Sequence, residues 1–130
     1  KGSDTTMSSV APSLKRLLIV DDSHFNRKML CRLLTTQGYE CVQAADGLEA
    51  VNTYSQSCEA SSDVAPIDAI LMDFEMPVMN GPTATRKLRE LGCKKLIVGV
   101  TGNVLPEDVS FFKAHGADEV LPKPFKPADF

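Results

Sequence analysis

No run of apolar residues in this sequence approaches the roughly 20 needed to span a bilayer, and the N-terminal residues lack the apolar core of a secretory signal. The chain is therefore expected to make no membrane contact of its own, although a longer parent protein could still be anchored. Nor is there an excess of positive charge. The 14 Lys and Arg stand against 17 Asp and Glu, for a net charge of −3, which leaves no broad basic surface for a nucleic-acid backbone. Nucleic acid is not an expected partner. The four cysteines, Cys31, Cys41, Cys58 and Cys93, have neither the paired spacing of a zinc site nor the density of a secreted disulfide scaffold. Cys31, Cys41 and Cys93 lie in or beside apolar segments and read as small buried hydrophobes, so the expected compartment is the reducing cytoplasm.

What is present is enough apolar sequence for one core: 130 residues, 43% hydrophobic, in the usual size range of a single domain. Residues 1–13, rich in Ser, Thr and Gly, read as a disordered leader or linker, and residues 14–130 as the domain. Residues 17–20 form a short continuous apolar run, the signature of a strand buried on both faces. From 23 to 37, Met29, Leu30, Leu33 and Leu34 recur at helical spacing, with Asp22 or Ser23 as the cap and Gly38 just past the end. A strand over 39–45 follows, then a helix opened by the capping-box pair Asp46 and Glu49 and running to about Tyr54.

Residues 55–66 read as a surface loop, and 67–72 as another buried strand ending at Asp73. Pro82 begins a helix with Ala84, Leu88 and Leu91 on one face and Gly92 as its terminator. A strand over 96–100 precedes a helix over 106–115, with Val109 and Phe112 inward and Gly116 at its end, and a short fifth strand covers 119–122. Strands alternating with helices predict an α/β fold: a doubly wound, five-stranded parallel sheet with right-handed crossovers. Ligand sites in such sheets form beyond the C-terminal ends of the strands.

Four of those ends carry residues of definite chemistry: Asp21 and Asp22 after the first strand, Asp73 after the third, Thr101 after the fourth and Lys123 after the fifth. Singly, each has a bland explanation as a helix cap, a strand end or a solvated lysine. Together they describe a site, because converging carboxylates repel one another and raise their own pKa values unless a cation neutralises them. All-oxygen ligation suits Mg²⁺, with Mn²⁺ as a substitute, and Asp22 and Asp73 read as direct ligands with Asp21 acting directly or through water. Lys123 can supply a point charge and Thr101 a hydroxyl to a transferring phosphoryl group, whose negative charge spreads over three oxygens. Asp73 is then the nucleophile that becomes an acyl phosphate, and Gly102 leaves room for the group to enter.

The ordered segments Leu17-Leu18-Ile19-Val20-Asp21-Asp22, Leu71-Met72-Asp73-Phe74-Glu75-Met76-Pro77-Val78-Met79-Asn80-Gly81, Val100-Thr101-Gly102-Asn103 and Leu121-Pro122-Lys123-Pro124-Phe125 resemble the receiver domains of response regulators and hybrid histidine kinases. The resemblance implies a flavodoxin-like strand order 2-1-3-4-5 and phosphoryl transfer onto Asp73. It also implies metal binding by Asp21, Asp22, Asp73 and the backbone carbonyl of Glu75, contacts from Thr101 and Lys123 to phosphoryl oxygens, and a cis peptide between Lys123 and Pro124. The implied partner is a histidine kinase or a histidine-phosphotransfer protein docking near the first helix, with the domain a monomer. Glu75 and Asn103 stand where they could tune water access.

Two departures accompany the resemblance. Val120 stands where the family usually has an aromatic residue, and the sequence stops at Phe130, so the family's final helix is expected to be truncated or missing. The Met-Pro-Val-Met-Asn-Gly loop points to a hybrid kinase; a stand-alone regulator is the alternative. A Mg²⁺-dependent aspartyl-phosphate phosphatase, with Glu75 as the leaving-group acid, is a more distant one. His24 reads as a surface residue near the site and His115 as a partner of its helix's C-terminus. Met76, Val78 and Met79 read either as a cover for the site or as a docking surface.

Overall fold

Why the five strands lie side by side is legible in their burial. β1 (Arg16–Val20), β2 (Glu40–Ala44), β3 (Ala69–Asp73), β4 (Leu96–Thr101) and β5 (Glu119–Pro122) form one parallel sheet in the order β2-β1-β3-β4-β5. β3, at its centre, is buried along its whole length, as a strand covered on both faces must be. The computed structural model describes residues 14–59, 65–102, 105–124 and 126. The expected leader over 1–13, Asn103, Phe125 and the place of a final helix from 127 onward lie outside them.

Four helices connect the strands: α1 (His24–Thr36), α2 (Gly47–Ser57), α3 (Gly81–Glu90) and α4 (Pro106–Ala114). Their starts follow the capping rules. The Ser23 side chain accepts from the Asn26 amide, Asp46 from Glu49 and Asn80 from Thr83, satisfying amide groups that have no partner inside the helix. Glu49 reaches one residue beyond the cap, its side chain accepting from the Ala45 amide rather than from the Asp46 amide of a capping box. Gly38, Gly92 and Gly116 follow three helix ends with positive φ, the conformation that closes a helix without a Cβ penalty.

The two faces of the sheet are covered unequally. Leu18, Val20, Ile70, Met72 and Ile97 pack under α2, α3 and α4, with Phe112 fully buried among them. Leu17, Ile19, Leu71 and Val100 face the other way, where α1 contributes Cys31 and Leu34. Two expectations need correction there and on α3. Met29 and Leu33 remain nearly half exposed, because among the described residues no second helix packs beside α1. Leu91 is the C-cap of α3 rather than part of its buried face and is exposed. α2 also runs past Tyr54 to Ser57, because Tyr54 and Ser57 are buried and the Ser57 hydroxyl donates to the Tyr54 carbonyl at 2.6 Å. Val109 is half buried, while Phe112 is fully inward as expected.

Glycine matters most where α4 meets the sheet. A Cβ on Gly99 of β4 would lie 2.5 Å from the Phe112 ring, so only hydrogen at that position lets the ring come this close to the strand. Thr85 on α3 is the opposite case: its side chain is completely buried and its hydroxyl has no hydrogen-bond partner. A buried hydroxyl left unpaired costs free energy that a methyl group of the same shape does not. Thr85→Val is therefore expected to stabilise the fold by about 1 kcal/mol, read as a higher urea midpoint at unchanged slope.

Candidate functional site

The C-terminal ends of β1, β3, β4 and β5 deliver the site. Asp73 is the last residue of β3 and Thr101 the last of β4; both are buried. Asp21 and Asp22 follow β1 directly, the first buried and the second exposed, and Lys123 follows β5. One carboxylate oxygen from each of Asp21, Asp22 and Asp73 lies within 4.8 Å of the other two. Lys123 Nζ is 2.8 Å from Asp73 Oδ1 and 3.9 Å from Asp21 Oδ2. The structure thus brings together four of the residues picked out by sequence, and β4 pairing sets Thr101 one residue beyond the Asp73↔Val100 register.

Local hydrogen bonds hold these side chains in place. The Lys123 amide donates to the Thr101 carbonyl at 2.9 Å, fixing the loop after β5 to the end of β4. Asp21 Oδ1 accepts from the Ser23 amide at 2.8 Å, and the Asp21 carbonyl accepts from the Arg27 guanidinium at 2.6 Å. Gly81 closes the loop after β3 by donating to the Phe74 carbonyl at 2.8 Å; a Cβ there would meet the Asp73 carbonyl oxygen at 2.1 Å. Any side chain at Gly81 would therefore displace the backbone that carries Asp73. The Lys123–Pro124 peptide is cis, as the resemblance implies. Glu75 is exposed in the loop two residues past Asp73.

Burial pushes the Asp73 carboxyl up to about 6, the Lys123 ammonium opposes this, and the charges of Asp21 and Asp22 add to the rise. For Lys123, desolvation works against the charged form, but the contact with Asp73 and the neighbouring acids prevails and raises its pKa. Asp73 Oδ2 is buried without any hydrogen-bond partner. An unpartnered carboxylate oxygen within an all-oxygen acidic cluster fits a hard divalent cation and offers nothing to a soft one.

Around these residues, Met76 and Met79 pack partly buried against the core, whereas Val78 is exposed at positive φ. His24 is exposed, with its Nδ1 3.1 Å from Arg27 Nη2. His115 Nδ1 lies 2.8 Å from the Phe111 carbonyl, at the helix end as expected. Sequence reasoning missed Arg27, which ties Asp21 to Gln43 of β2. It also missed a cleft of about 390 Å³ running from Asp21, Asp73 and Lys123 along Met29, Leu30 and Leu33. Neither has a local signal, since both depend on how α1 lies on the sheet.

An open parallel sheet that gathers acids and a lysine at its C-terminal edge is the build of a two-component signalling module, and the comparisons agree. Residues 17–130 match the model of the response regulator receiver domain. The chain is 38% identical over 108 residues to the sensor histidine kinase RcsC of Salmonella typhimurium, covering 83% of this chain and 10% of that protein. It is 37% identical over 117 residues to the two-component response regulator ORR41 of rice, covering 88% and 87%. Among solved structures, the receiver domain of the sensor histidine kinase PA1611 of Pseudomonas aeruginosa, with a magnesium ion in its active-site cleft, superposes with a TM-score of 0.73 at 34% identity, covering 90% and 91%. The chain belongs to the response regulator receiver domain family. It spans about a tenth of the length of the sensor kinases it matches.

The buried acid gives a prediction for the metal-free protein. Because folding raises the Asp73 pKa from 3.8 to about 6, its contribution to stability is fully present below pH 3.8 and lost as the pH rises through about 6. At pH 7 in EDTA, Asp73→Asn is expected to be more stable than wild type by on the order of 1–3 kcal/mol. The advantage should vanish below pH 4, as measured by urea denaturation across pH.

Proposed function

We propose that this chain is a phosphorylation switch in which Asp73 accepts a phosphoryl group from a phosphohistidine. The observation that carries the reading is the Asp73 carboxylate itself: desolvated, paired with Lys123 through Oδ1, and unpartnered at Oδ2 beside two further acids. An Asp73 oxygen forms the bond to phosphorus while the phosphorus–nitrogen bond of the donor imidazole breaks and that nitrogen keeps the electron pair. The Lys123 ammonium and the Thr101 hydroxyl orient the phosphoryl oxygens and balance their charge. Asp21, Asp22, Asp73 and the Glu75 carbonyl would hold Mg²⁺. Bound there, it neutralises the acids and the incoming group.

The donor is read as a histidine kinase or a histidine-phosphotransfer protein. On α1, Phe25, Met29 and Leu33 repeat every fourth residue along the helix, and Phe25 is 69% exposed beside the acidic site. An exposed apolar stripe next to a reactive group supports docking by a partner helix. We read the parent as a hybrid histidine kinase, on the Met76–Gly81 loop and the likeness to RcsC; the similar likeness to ORR41 supports a stand-alone regulator instead. Monomeric behaviour and a cytoplasmic setting belong to the same reading. No helix among the described residues is long and apolar enough to cross a membrane.

Incubation with acetyl phosphate and Mg²⁺ is expected to add one phosphoryl group by intact mass in wild type and none in Asp73→Asn. Lys123→Ala should slow labelling roughly 100-fold, the usual effect of losing one charge-stabilising donor. Equal labelling of wild type and Asp73→Asn removes Asp73 from the mechanism. With a phosphorylated histidine-phosphotransfer protein as donor, Phe25→Ala should lower the transfer rate about 10-fold while leaving labelling by acetyl phosphate unchanged.

A further inference from the structure

Away from the acidic site, two thiols meet where α1 packs on β2. Cys31 of α1 is buried and Cys41 of β2 half buried, and both belong to the apolar cluster around Leu17, Ile19 and Leu34. The Cys41 thiol donates to the Cys31 carbonyl at 3.8 Å, so the Cys41 sulfur lies directly against the backbone of Cys31. The Thr35 hydroxyl donates to that same carbonyl at 2.7 Å. Of the other cysteines, Cys58 is exposed and Cys93 buried.

We propose that Cys31 and Cys41 form a redox-active dithiol that a hydroperoxide converts into a disulfide tying α1 to β2. The Cys41 sulfur already sits against the residue it would bond, in one apolar cluster in which Cys41 is half buried and Cys31 buried. The electrostatics assign the roles. Hydrogen bonding from Cys31 outweighs burial and, with help from Thr35, draws the Cys41 thiol down to about 7, while the same pairing and burial push Cys31 up. Cys41 is therefore the attacking sulfur and Cys31 the resolving one.

In the first step the Cys41 thiolate attacks one peroxide oxygen, the oxygen–oxygen bond breaks, and the departing oxygen takes a proton and leaves as water or alcohol. Cys41 is then a sulfenic acid. In the second step the Cys31 sulfur gives up its proton and attacks the Cys41 sulfur; the sulfur–oxygen bond breaks and the hydroxyl leaves with a proton as water. The two sulfurs together lose two electrons, and the peroxide gains them. The product pins the helix that carries Phe25 and Met29 to the strand beside it. The proposal is independent of the phosphoacceptor reading, since neither sulfur touches the acidic site.

The test uses the whole chain in a Cys58→Ser, Cys93→Ser background, with hydrogen peroxide as the probe, followed by alkylation under denaturing conditions and digestion with trypsin and a Glu-specific protease. The expected result is loss of both remaining thiols to the alkylating agent, with the mass of two hydrogens removed. Peptides 29–32 and 41–49 should be linked within one chain, and dithiothreitol should restore the thiols. Cys41→Ser should abolish the link and leave Cys31 alkylated; Cys31→Ala should leave Cys41 as a sulfenic acid that dimedone captures. Full alkylation of both thiols after peroxide overturns the proposal, as does a link found only between two chains. If Cys31→Ala fails to fold, the Cys41→Ser arm and the peptide map in the parent background still decide it.

Discussion

The interaction on which this structure turns is the one between the Asp73 carboxylate and the Lys123 ammonium. Asp73 ends the most deeply buried strand, where desolvation alone drives a carboxylate towards its neutral form. Two further acids nearby push the same way. Lys123, 2.8 Å away, is the counterweight among the described residues, and it arrives from the last strand in the chain. The fold from β1 through β5 therefore sets the balance at Asp73: burial and the neighbouring acids raise its pKa to about 6, and Lys123 limits the rise.

The open parallel sheet suits this arrangement because its strand ends point the same way while their loops remain free to differ. β1 and β3 are neighbours, so Asp21, Asp22 and Asp73 converge without any long loop. The helices that follow are capped by Ser23 and Asn80, which fixes where the chain turns away from the site. Gly81 then allows the returning backbone to pass against the Asp73 carbonyl. Each device is local, but all of them act on the position of one side chain. The orphaned Oδ2 of Asp73 is what remains after Lys123 has paired with Oδ1, and Asp21 and Asp22 lie beside it.

Strand ends and two of the helix caps were legible in the sequence because each rests on short-range chemistry: apolar runs of strand length, Ser and Asp before helices, glycine after them; strand order came with the resemblance, and the Asn80 cap went unread. The site residues were legible for a related reason, since a parallel sheet converts the chain positions of Asp21, Asp22, Asp73, Thr101 and Lys123 into a common edge. What escaped depends on packing between elements. Met29 and Leu33 have the right period for a buried face, yet periodicity does not say whether a second helix lies over them. Leu91 continues the spacing of Ala84 and Leu88 but falls at the cap, where the helix no longer fixes its direction. Arg27 gives no sign in sequence that it will bridge the Asp21 carbonyl and Gln43.

Val120 illustrates how a single substitution moves a physical role elsewhere. At this position, three residues before Lys123, the resemblance predicts a ring, and the half-buried Val120 supplies only aliphatic packing against the core. The ring nearest the site in the chain is instead Phe74, directly after Asp73. It meets Phe112 edge-on at 5.3 Å and Phe111 at 6.3 Å, and Phe111 is half exposed on α4. Its backbone amide and carbonyl are held by Val100 and Gly81, which fixes the backbone from which the ring projects next to Asp73. Contact between the acidic site and the surface of α4 thus runs through a residue covalently adjacent to Asp73.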